Sequence, residues 1–174
     1  TAVSVSVTTP CDVISSYPWT EDFEAASPTL NCWSSIANVN VYGWQYFNGN
    51  ASGSVTAYSG SQNALFFAGT FSATDADLVS PVLDLSGLTS PQLVFQHTQT
   101  DWSGDLDVLS VYYSTDGGST FTLLDSYTSP VYSWTERILS LPVSSSLQVY
   151  FNAVGAYGYG ITIDDVVVRE APSC

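Results

Sequence analysis

The sequence predicts an all-β chain folded as a two-sheet antiparallel sandwich. Three observations carry that prediction. Short runs of alternating apolar residues recur along the chain, with turn residues between them. No segment of useful length shows a 3.6-residue apolar period, so helices should be rare. Ser, Thr, Gly, Val and Tyr dominate the composition, which suits pleated, half-buried strands.

The elements follow in order. Val3, Val5 and Val7 alternate with small polar residues in a first short strand, which Pro10 and Cys11 end. Residues 12–18 read as a linker, and 18–24 as a mixed aromatic and acidic segment. Residues 38–47 alternate well enough for one strand through Val39, Val41 and Tyr42. A polar, Gly-containing loop covers 48–54, and a short buried strand covers 63–67. Leu93 and Phe95 sit in another strand. Residues 106–113 form the longest strand candidate, with Leu109, Val111 and Tyr113 on one face. It runs into Asp116-Gly-Gly118, which supplies the positive φ that a hairpin turn needs, and 121–124 returns. Residues 138–141 and 147–153 are further strands, with Val149, Phe151 and Ala153 on a common face. Trp19, Trp33 and Trp134 are expected in the core.

The last strand carries Asp164 and Asp165 side by side between Ile163 and Val166. Successive side chains point to opposite faces, so one acid should point where Ile161 and Ile163 point, into packed material. A buried carboxylate needs neutralisation, hydrogen bonds or a metal. Lys is absent and the only Arg are Arg137 and Arg169, so ion pairing is scarce. Two readings stay open: a hard divalent cation, calcium above all, or a strand end with one acid held by backbone N–H groups.

The chain has 174 residues and a formal net charge of −14, although only 10% of its residues are charged. It is acidic because bases are missing. Nothing here neutralises phosphates, so nucleic acid and anionic membrane surfaces are poor partners. No apolar run is long enough to span a bilayer. There is neither a signal peptide nor a Met, so the chain reads as a processed piece of a longer polypeptide. Cys11, Cys32 and Cys174 suit an oxidising compartment, with one bridge and one Cys left over. Cys11–Cys32 is the preferred pair and Cys11–Cys174 the alternative.

Five segments in register then carry a resemblance: Pro18-Trp-Thr-Glu-Asp-Phe-Glu24, Cys32-Trp33, Ser59-Gly-Ser-Gln-Asn-Ala-Leu-Phe66, Tyr113-Ser-Thr-Asp-Gly-Gly118 and Gly160-Ile-Thr-Ile-Asp-Asp-Val166. This order resembles the bacterial cleaved-adhesin and choice-of-anchor J domains, relatives of MAM domains. The resemblance implies a jelly-roll sandwich over 11–170 in a secreted, multidomain protein. It implies a remnant strand of a preceding domain over 1–10 and the start of a linker over 171–174. It places Cys32 at a short-range disulfide position, in favour of Cys11–Cys32. It also implies a structural calcium held by Glu24, by the loop from Ser59 to Asn63 and by Asp164, with Asp22 and Asp165 as neighbours. Parity favours Asp165 for the buried role; a bulge reverses that argument, and Asp164 ranks first.

Catalysis has little support. His97 is the only His, in an apolar context that reads as structural. Asp105 with Asp107, and Asp75 with Asp77, could serve glycoside hydrolysis in principle, but they read better as solvated faces. Aromatic rings offer flat faces to the C–H surfaces of sugars. Trp102 lies in a polar loop where a core residue would be wasted, near Gln99, Asp101 and Asp105. Tyr157 is similar, and Trp44 with Tyr46 could form a platform, although Trp44 suits the core better. The expected function is a non-catalytic module that binds a neutral polysaccharide. The alternative is an adhesion, protein-interaction or spacer domain with no glycan ligand. The expected partners are polysaccharide and other domains of the same polypeptide, around a monomeric, extracellular module.

Overall fold

The structure is a computed structural model that describes residues 11–173. The expected first strand at Val3–Val7, the 1–10 remnant and Cys174 lie outside the described residues. Among the described residues, eleven strands form two antiparallel sheets, and the one helical element is a three-residue 3-10 turn at Leu30–Cys32. The strands are β1 (Trp19–Glu21), β2 (Ser34–Val39), β3 (Trp44–Phe47), β4 (Asn63–Phe66), β5 (Thr74–Val79), β6 (Pro91–Gln99), β7 (Val108–Ser114), β8 (Thr122–Tyr127), β9 (Val131–Ser140), β10 (Gln148–Gly155) and β11 (Ile161–Glu170). The expected two-sheet antiparallel architecture is what the chain adopts.

One sheet has six strands, ordered β3-β4-β11-β6-β9, with β1 also paired to β11. The other has five, ordered β2-β5-β10-β7-β8. β6 occupies one edge of β11 along most of its length. β4 pairs with Ile161–Ile163 and β1 with Val166–Val168, so these two short strands share the opposite edge end to end. Asp164 and Asp165 fall in the gap between them.

The inner faces meet in one core. Phe66, Leu93, Phe95, Ile161, Ile163 and Val168 come from the first sheet, and Leu78, Leu109, Val111 and Phe151 from the second. Burying a side chain such as Phe151 contributes roughly 2–3 kcal/mol. Trp19 and Trp33 belong to this core and stack at 6.1 Å. Trp134 does not, contrary to expectation. It lies half-buried on β9, where its Nε1 donates to the Thr56 carbonyl at 2.9 Å. Cys11 and Cys32 form the expected disulfide, tying the start of the described chain to the 3-10 turn.

The expected single strand over 38–47 is two strands in different sheets. Asn40 takes φ 69, which Asn tolerates, and the chain turns before Trp44. β2 therefore joins the five-stranded sheet and β3 the six-stranded one.

Candidate functional site

β5 alternates cleanly: Thr74, Ala76 and Leu78 are buried, while Asp75 and Asp77 are half-buried on the outer face of the five-stranded sheet. On β10, Phe151 and Ala153 face the core, and Tyr150 and Asn152 face outward with the two acids. Register sets Asn152 opposite Asp77 and Tyr150 opposite Tyr112. Asn38 joins from the bulge of β2. The Asn152 amide nitrogen donates to Asp75 Oδ1 at 2.7 Å and Asp77 Oδ1 at 2.8 Å. Asn38 Nδ2 donates to Asp75 Oδ1 at 3.0 Å and Asp77 Oδ2 at 2.7 Å. Two carboxylates are thus clasped by two amides.

A cleft of about 340 Å³ opens over this floor, lined by Asp75, Asp77, Tyr112, Phe121, Tyr150 and Asn152. Phe121 comes from the β7–β8 hairpin loop and meets Tyr150 edge-on at 4.9 Å. Asp116 holds that loop in shape: it accepts from the N–H groups of Ser119 and Thr120 and the hydroxyl of Thr120. The Thr120 hydroxyl and N–H, with Ser114, hold the Asp116 carboxyl down at about 2. The cleft combines aromatic walls with fixed hydrogen-bond acceptors, the pairing that suits C–H faces and hydroxyls together.

A second aromatic group stands at the loop end of the sandwich. Phe71 stacks on Tyr157 at 3.8 Å, and Trp102 meets Tyr157 edge-on at 4.9 Å. Phe71 is 75% exposed and Trp102 38% exposed. Trp102 and Asp105 exchange backbone hydrogen bonds around a tight turn whose central residues, Ser103 and Gly104, both have positive φ. Asp101 accepts from the Tyr132 hydroxyl at 2.6 Å and the Gly104 N–H at 2.8 Å, which lower its pKa in that order.

Gln99 and Trp44 are not open to a ligand. Gln99 is fully buried and spends its side chain on the Tyr127 carbonyl and the Leu109 N–H. Trp44 is 7% exposed, packs on Phe66 and donates to the Ala76 carbonyl. Tyr46 stacks on buried Phe23 at 5.8 Å, and burial pushes its hydroxyl up to about 12. His97 is fully buried against Tyr127 and Phe95, with both ring nitrogens unpartnered. Burial, then the Arg137 charge, lowers its pKa to about 3. The Asp105–Asp107 pair separates: Asp107 is buried and accepts from the N–H groups of Ala156, Gly158 and Gly160.

At the gap between β1 and β4, Asp164 is fully buried and Asp165 half-buried. A bulge separates Asp164 from Val167, with Asp165 at φ 44. Asp164, ranked first for the buried role, is the acid that takes it. It points under the β3–β4 loop and accepts from the Tyr58, Ser59 and Asp165 N–H groups. Burial, opposed by these N–H groups, raises it to about 7. Ser59 donates its hydroxyl to Asp165 at 2.7 Å. Glu24 grips the same loop through Ser61 and Gln62 N–H groups and the Ser61 hydroxyl, which lower its pKa. Asn63 instead bonds backbone groups of Gly49 and Ala64. A notch of about 240 Å³ remains, lined by Thr20, Glu21, Asp22, Ser59, Asp165 and Val167. No group of three or more His, Cys, Asp or Glu converges on a metal position among the described residues.

No family model matches the sequence, and no curated protein does. Solved structures do. The K1 cleaved adhesin domain of Lys-gingipain from Porphyromonas gingivalis W83 superposes with a TM-score of 0.69 at 20% identity, over 90% of this chain and 100% of that one. The chain has the fold of the cleaved adhesin domains. The carbohydrate-binding module TmCBM61, solved with β-1,4-galactotriose, gives a TM-score of 0.58 at 13% identity, over 87% of this chain and 98% of that one. The C-terminal family 22 carbohydrate-binding module of Clostridium thermocellum Xyn10B gives 0.56 at 13% identity, over 90% and 94%. At such identities the likeness is one of fold, and a MAM likeness is not shown.

The cleft residues Asn38, Tyr112, Phe121, Tyr150 and Asn152 were not singled out from sequence. The available signal was Asp75-Ala-Asp77 beside a Tyr150/Asn152 alternation, but only the strand order brings them together.

Proposed function

We propose that this chain is a non-catalytic module that binds a neutral polysaccharide in the cleft on its five-stranded sheet, as part of an exported, longer polypeptide. The observation that carries the reading is the amide-clasped Asp75–Asp77 pair beneath Tyr112, Phe121 and Tyr150. Rigid carboxylate acceptors suit vicinal hydroxyls, and rings suit the sugar face. The two acids and the net charge of −14 disfavour anionic glycans. Hydrolysis is a poor fit, because a glycosidase sets its two carboxyls on either side of the scissile bond. Here both ride on one strand, face one way and share the same two amides. The fold neighbours that bind carbohydrate support the class of ligand.

A structural calcium belongs to this reading. The donor chemistry at the β1–β4 gap is all oxygen, which calcium prefers. Asp22 and Asp165 line the notch and would hold the ion, with Glu24 and Asp164 bracing the loop beside it. Carbonyls and water would complete the shell. A glycan array of neutral and anionic polysaccharides tests the function. Binding confined to neutral glycans is expected; no binding across the array would favour the spacer alternative.

A further inference from the structure

The loop-end aromatic group is separate from the cleft and is built from other elements. Phe71 comes from the β4–β5 loop, Trp102 from β6–β7 and Tyr157 from β10–β11. Trp102 and Tyr157 border a pocket of about 180 Å³, lined also by Tyr159, Phe67, Gly69 and Ala51, and Phe71 stacks on Tyr157 beside it. That is about half the volume of the cleft, room for one ring rather than a chain segment. The lining side chains carry an indole N–H and two phenol hydroxyls beside apolar faces.

The geometry is fixed from below. Buried Asp107 accepts from Ala156, Gly158 and Gly160 N–H groups and so sets the loop that carries Tyr157. A Cβ on Gly158 would come within 2.8 Å of Asp107 Oδ2, so this approach needs Gly. Tyr157 itself sits at φ 68, a conformation uncommon for a large side chain and held here by its neighbours. A ring kept in such a backbone well and stacked on an exposed Phe is pre-organised. Three partly exposed rings offer at most a few hundred Å², well short of the roughly 800 Å² per partner of a standard protein interface.

We infer that Phe71, Trp102 and Tyr157 form a second carbohydrate subsite, which takes a single neutral sugar unit and is positioned by Asp107. The class of ligand rests on the reading of the domain as a glycan binder; the site does not depend on the cleft.

The test follows the indole N–H resonances of the five tryptophans in the ¹⁵N-labelled domain. The probes are methyl β-glycosides of galactose, glucose, xylose and mannose at millimolar concentration. The Trp102 resonance should shift saturably with at least one probe, and should still do so in Asp77→Ala/Tyr112→Ala, which disables the cleft. Tyr157→Ala should need about tenfold more probe, a change of about 1.4 kcal/mol. The buried Trp19, Trp33 and Trp44 resonances report that each variant is folded. A Trp102 resonance that no probe moves would overturn the inference. So would equal shifts in Tyr157→Ala, or movement with protein concentration alone, which would mark a self-association face. A second subsite that survives while the cleft variant loses polysaccharide binding separates this inference from the one before it.

Discussion

Asn152 and Asp77 face each other across the β10–β5 pair, and the Asn152 amide nitrogen donates to Asp77 Oδ1 at 2.8 Å. The same nitrogen reaches Asp75 at 2.7 Å. The contact fixes two carboxylates on an open sheet face, where self-repulsion would otherwise splay them. Rigid acceptors lose little entropy when a ligand arrives.

The aromatic walls should carry much of the cleft's affinity. Tyr112→Ala or Phe121→Ala should weaken the best array ligand by about tenfold, since one aromatic contact contributes on the order of 1 kcal/mol beyond its area. Titration calorimetry reads the affinity, and a melting point within a few degrees of wild type confirms the fold.

The tryptophans divide by burial. Trp44→Ala empties a core position against Phe66 and should cost about 3–5 kcal/mol. Trp102→Ala removes a partly exposed ring and should cost about 1 kcal/mol or less. Urea unfolding of both variants checks the contrast, and equal losses would refute it.

These residues show what the sequence made legible. Leu109 and Val111 are core because their strand has one clear apolar face, with Tyr113 packed against it. Asp116-Gly-Gly118 is the hairpin turn because both glycines need positive φ. That Asp164 meets the loop beginning at Ser59 came from the resemblance and not from alternation, because no local pattern announces which loop covers a sheet. The cleft was illegible for a related reason. Asn38, Asp77, Asn152 and Tyr112 come from four strands that are neighbours only in the order β2-β5-β10-β7. Alternation fixes faces; it carries no information about which strands sit side by side.

His97 predicts a pH dependence. Its folded pKa of about 3 lies below the ordinary 6.5. Between those values the unfolded chain binds a proton that the folded chain does not. The neutral ring's contribution is fully present above about pH 6.5 and is lost as pH falls toward 3. Arg137, Tyr127, Gln99 and Phe95 surround the ring. Melting curves of wild type should therefore fall more steeply from pH 6.5 to 4 than those of His97→Gln. Parallel curves would contradict the assignment.

Calcium should stabilise the fold. An ion bound only to the native state at a hundredfold excess over Kd contributes about 2.7 kcal/mol. Chelator should lower the melting temperature and added calcium restore it, with both responses lost in Asp22→Asn/Asp165→Asn. An unchanged melting curve, with no metal in elemental analysis, would remove calcium from the account.

The side-chain amide resonances of Asn38 and Asn152 test the central claim most directly. Each reports on the clasp that holds Asp75 and Asp77. When the ¹⁵N-labelled domain is titrated with its best neutral oligosaccharide, both amide pairs should shift saturably, at the same Kd that calorimetry gives. Amide pairs that stay fixed while the oligosaccharide binds would place the site elsewhere and contradict the account.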